Sequence, residues 1–130
     1  MNDLRKLEQQ VISSVRENTD GESSYFIVEF ESGGKLNVVS YRHGDEGVAN
    51  LDIDLNGMQP KDLIGKKVLK FEEEFDGEYK HLIIKFKDNT EIILTPFSSA
   101  EDQTAGLSYT VYSGDKIVAE SLEKIFSKNN

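Results

Sequence analysis

The stretch Phe71-Glu72-Glu73-Glu74-Phe75-Asp76-Gly77-Glu78-Tyr79-Lys80-His81-Leu82-Ile83-Ile84-Lys85-Phe86 reads as two extended runs around a reversal. An Asp-Gly pair readily adopts the positive φ angles that a two-residue type I′ turn requires, so the turn is placed at Asp76-Gly77. Counting outward pairs Phe75 with Glu78, Glu73 with Lys80, Phe71 with Leu82 and Leu69 with Ile84, setting opposite charges together and apolar residues together. On the other face Glu72 meets His81 and Glu74 meets Tyr79, with Lys70 and Lys85 nearby.

Downstream, a three-residue loop Asp88-Asn89-Thr90 with a left-handed Asn matches Phe86 to Ile92 and Ile84 to Leu94. The meander then has an apolar face of Leu69, Phe71, Leu82, Ile84, Phe86, Ile92 and Leu94, and Pro96 ends its last strand. Upstream, Ala49, Leu51, Ile53 and Leu55 alternate with Asn50, Asp52, Asp54 and Asn56, as a half-buried strand does. Asn56-Gly57 and Pro60 break the chain before a short turn at 60–65. Phe26, Val28 and Phe30 share a face, and Ser32-Gly33-Gly34 turns into Leu36, Val38 and Ser40. Near the C-terminus Leu107, Tyr109 and Val111 alternate with Ser108, Thr110 and Tyr112, and Ser113-Gly114-Asp115 turns into a short strand from Lys116.

At the ends the period changes. Leu4, Leu7, Val11 and Val15 recur at spacings of three and four, which predicts a helix over 2–18 that stops near Gly21. Leu122, Ile125 and Phe126 predict a second, short helix from Ser121. The expected fold is one α+β domain spanning 1–130: an N-terminal helix and a short C-terminal helix packed on a largely antiparallel, strongly twisted sheet or partial barrel of about seven or eight strands.

Twenty-four acids against 15 bases give a net charge of −9, a field that repels phosphates and anionic lipid and attracts basic protein surfaces. Free nucleic acid and membranes are therefore disfavoured as partners. The chain has no cysteine, which removes disulfides, thiolate metal sites and cysteine nucleophiles. No apolar run approaches the length of a signal core or membrane span, so a soluble, cytoplasmic protein is expected.

The candidate chemistry sits on the central hairpin, where Glu72, Glu73, Glu74, Asp76 and Glu78 gather beside Tyr79 and His81. A carboxylate beside an imidazole can orient a base, but a base needs a partly dry pocket, and a zinc site needs a third ligand not found locally. Asp45 and Glu46, with Asp52 and Asp54, supply oxygens for a hard cation without the spacing of a calcium loop. Nucleophile elbows and phosphate-binding glycine loops are missing. The sequence thus favours a small, acidic, non-enzymatic binding module without a cofactor. Its role would be inhibitor-like or immunity-like, directed at a basic macromolecular surface through the acidic hairpin tip from Glu72 to Glu78. Two alternatives are a small-ligand or metal-binding protein with its site in the mouth of a curved sheet, using Tyr79 and His81, and a self-assembling structural protein. The sequence leaves the oligomeric state open.

Overall fold

The computed structural model describes residues 2–18, 24–42, 49–75, 77, 79–98, 105–113 and 116–120. Among these residues nine strands lie in two antiparallel sheets. The first has the order β1 (Ile12–Asn18), β2 (Tyr25–Phe30), β3 (Gly34–Arg42), β8 (Ala105–Ser113), β9 (Lys116–Glu120). The second has the order β4 (Ala49–Asp54), β7 (Glu91–Ser98), β6 (Lys80–Phe86), β5 (Val68–Phe75). The inward rows of the two sheets form one apolar cluster, with Phe26, Val28, Leu36 and Val38 from the first and Phe71, Leu82, Ile84, Phe86 and Leu94 from the second. Its centre, between Ile12, Phe26, Phe71 and Phe86, leaves no room for a water molecule.

The expected α+β fold is overturned, because no α-helix occurs among the described residues. At the N-terminus only Asn2–Leu7 coils, as a 3-10 helix whose three-residue turn stacks Leu4 over Leu7 and buries both. Gln9 then takes a φ of 72°, and the chain leaves as β1. The helical spacing of Val11 and Val15 is incidental. Ile12, which lies off that stripe, is the buried residue, and the β-branched run Val11-Ile12 suits a strand. At the other end β9 carries the chain to Glu120 as strand. Residues from 121 onward, where the C-terminal helix is expected, lie outside the described residues.

One corner joins the sheets. Val11 bridges Lys67, and Gln9 and Ile12 donate to the carbonyls of Val68 and Lys66 at 2.8 and 3.0 Å. Past the bridge, the Phe71 N–H on the outer edge of β5 donates to Glu8 Oε2 at 3.2 Å, so a carboxylate stands where a neighbouring strand would.

The hairpin registers differ from those expected. Phe75 pairs with Lys80, Glu74 with His81, Glu73 with Leu82 and Phe71 with Ile84. With Phe75 opposite Lys80, four residues separate the paired strands instead of the two expected. Gly77 has a φ of 99°, while Asp76 and Glu78 lie outside the described residues. Because the slip is two residues and strand side chains alternate with period two, each residue keeps its face and loses only its partner. Leu69 is the exception. A bulge between Val68 and Lys70 turns it outward, 41% exposed, and buries Val68 instead.

A similar slip affects the next hairpin, where Ile84 pairs with Ile92 and Lys85 with Glu91. The loop has the expected three residues, but they are Lys87-Asp88-Asn89, because the left-handed residue, Asn89 at φ 71°, comes last in such loops. Asn56 and Gly57 supply the two consecutive positive φ values that a type I′ turn needs, closed by Met58 N–H to Leu55 C=O at 3.0 Å. The 3-10 turn Pro60–Leu63 follows and buries Leu63. Pro96 does not end β7. Pairing with β6 stops at Leu94, so the missing N–H falls where β7 is flanked by β4 alone.

Candidate functional site

The outward face of the four-stranded sheet collects Asp52, Asp54, Glu72, Glu74 and His81 from the residues singled out by sequence. The registers place Asp52, Thr95, His81 and Glu74 in one row across β4, β7, β6 and β5, and Asp54, Ile93, Ile83 and Glu72 in the next. Thr95 follows from the β4–β7 and β6–β7 pairings, and His81 Nδ1 lies 2.6 Å from its Oγ1. At the usual strand spacing the two acidic margins stand about 14 Å apart.

Each acid meets different surroundings. Glu72 is held between Lys70 at 2.7 Å and Lys85 at 3.3 Å. Hydrogen bonding from Lys70 first, then from Lys85, lowers its pKa, and Glu72 in turn raises that of Lys70. Glu73 points to the opposite face, where Lys80 Nζ lies at 3.6 Å and the buried Tyr109 hydroxyl donates to it at 3.4 Å. It links the two sheets and does not belong to the outer surface. Glu74 is exposed, opposite His81, whereas the sequence pairs His81 with Glu72. Tyr79 is half-buried in the reversal. Asp52 and Asp54 are exposed side by side on the far margin; Asp45 and Glu46 lie outside the described residues. Among the described residues no three His, Asp or Glu groups come together as a metal site.

Ile83 and Ile93 are the residues that the sequence reading misses. They face outward yet are buried and half-buried respectively, forming an apolar centre between the Asp52/Asp54 margin and the Glu72/Glu74 margin, where Lys70 and Lys85 offset Glu72. The signal lies in the unbroken runs Leu82-Ile83-Ile84 and Ile92-Ile93-Leu94, since a strand apolar at consecutive positions is covered on both faces. Phe75 at the end of β5 is a second omission: it continues the row of Phe71 past the core and is 66% exposed.

A cleft of about 370 Å³ lies elsewhere, between the N-terminal turn and the ends of β3 and β8, and is lined in part by Lys6, Gln10, Ser32 and Tyr112. Gln10 Nε2 donates to the Lys6 carbonyl at 2.7 Å, and Gln10 Oε1 accepts from Ser32 Oγ, so these groups clasp the turn to the sheet. Neither Tyr79 nor His81 lines it.

Among the described residues no helix is long and apolar enough to cross a membrane. Compared with models of known families, with curated proteins and with solved structures, the chain matches none.

Proposed function

We propose that this chain is a non-enzymatic binding module that docks on a basic protein surface through the outward face of its four-stranded sheet. The observation that carries this reading is the placement of Asp52 and Asp54 on one margin and Glu72 and Glu74 on the other, around Ile83 and Ile93. An apolar centre with a charged rim is the general anatomy of a protein interface, and the accessible part of this centre is Ile93, since Ile83 is only 7% exposed. The net charge of −9 steers a basic partner inward. An inhibitor-like role fits, because complex formation is then the whole activity.

The acids of the test follow from the geometry. Glu73 is excluded because it ties the sheets together, and Glu72 because it neutralises two lysines. The variant Asp52→Asn/Asp54→Asn/Glu74→Gln leaves the fold in place. Against the partner captured from the native host, it should associate about tenfold more slowly at low salt, with a flatter salt dependence. An unchanged association rate would refute the reading.

A further inference from the structure

We infer that the free edge of β4 accepts an added strand from the partner, an extended segment in which lysine or arginine alternates with apolar residues. The inference rests on the proposed docking of a basic partner and specifies how that partner is held. Of the four sheet edges, β1 and β5 meet at the Val11–Lys67 bridge, and Glu8 occupies the next donor on β5. The edges remote from that corner belong to β9 and β4.

Among the described residues β4 pairs with β7 alone, in unbroken register from Ala49↔Ser98 to Asp54↔Ile93. An edge strand of this kind offers a row of unpaired N–H and C=O groups, and proteins commonly blunt such rows with lysine, proline or a bulge. Ala49-Asn50-Leu51-Asp52-Ile53-Asp54 has none of these. Among the described residues its only guard is charge: Asp52 and Asp54, both exposed on the outward face. A second copy would bring its own acids against them, and like charges across a strand pair are destabilising. A basic strand turns the same guard into an attraction.

The inward side points to the same occupant. Ile53, Leu55 and Met58 pack against the core but stay only partly buried, whereas Leu51 in the same row is 2% exposed. A strand added beside β4 places every second side chain over this uncovered apolar seam and the alternate ones beside Asp52 and Asp54. Alternation of apolar and basic residues in the guest follows from those two environments.

The test uses the full chain and three synthetic octapeptides: one alternating lysine and valine, one alternating glutamate and valine, and one with the lysine–valine composition but proline at two central positions. Amide hydrogen exchange is followed residue by residue. The lysine–valine peptide should slow exchange in residues 49–54 about tenfold, and neither control should do so. Asp52→Asn/Asp54→Asn should remove most of that protection. Equal protection by the proline peptide would overturn strand addition while leaving docking by charge intact. Absence of protection at 49–54 would also overturn it, and the association kinetics of the triple variant would then judge the docking reading separately. Protection that appears without peptide and grows with protein concentration would assign the edge to a second copy and refute the inference.

Discussion

Asp88 shows how one carboxylate can fix a loop. Its Oδ1 accepts from the Thr90 N–H at 3.1 Å, and its Oδ2 pairs with Lys66, across from the joined corner. Lys66 first, and then Thr90, hold its pKa down to about 2 from an ordinary 3.8. Because the folded value lies below the unfolded one, the stabilisation is complete above about pH 4 and is lost as pH falls towards 2. Asp88→Asn should therefore lower Tm at pH 7 by about 1–3 °C and leave Tm nearly unchanged at pH 2, a difference that scanning calorimetry reads directly. Ser108 behaves in the opposite sense. Its hydroxyl is buried without a hydrogen-bond partner among the described residues, so Ser108→Ala should be neutral or stabilise by up to about 1 kcal/mol in urea unfolding.

At the scale of elements, faces were far more legible than registers. Alternation in Phe26–Phe30, Leu36–Val38 and Leu51–Leu55 identified the inward rows because burial acts on each side chain through its parity. The slips of two residues at 76–79 and 87–89 leave parity untouched, so no hydrophobic pattern could reveal them. The bulge at Leu69 does break parity, and it yields a sharp contrast. Val68→Ala should cost about 1–3 kcal/mol, whereas Leu69→Ala should cost under about 1 kcal/mol. Equal or reversed costs in urea unfolding would contradict the bulge. The N-terminus misled for a related reason: Leu4 and Leu7 are buried as a stripe requires, but two points at spacing three fit a 3-10 turn as well as an α-helix.

For the molecule as a whole, pairings between distant segments decide the architecture, and local sequence carries little information about them. β3 pairs with β8 and β4 with β7, so the meander of β5, β6 and β7 forms a sheet separate from β2 and β3. That separation creates the candidate surface. It brings Asp52 and Asp54, some 20 residues before Glu72 and Glu74, onto one face with them. The acids were visible in the sequence; their common face was not. Phe75→Ala, at a largely exposed site in the inward row of β5 and off the docking face, should change stability by less than about 0.5 kcal/mol and leave the lifetime of the complex unchanged, as dissociation kinetics would show.

Methyl NMR of the chain with isoleucine methyls labelled, titrated with the captured partner, reports which sheet face the partner covers. The account predicts that Ile83 and Ile93 shift or broaden on binding while Ile27, on the outward face of the other sheet, does not. Perturbation of Ile27 with Ile83 and Ile93 unmoved would contradict it.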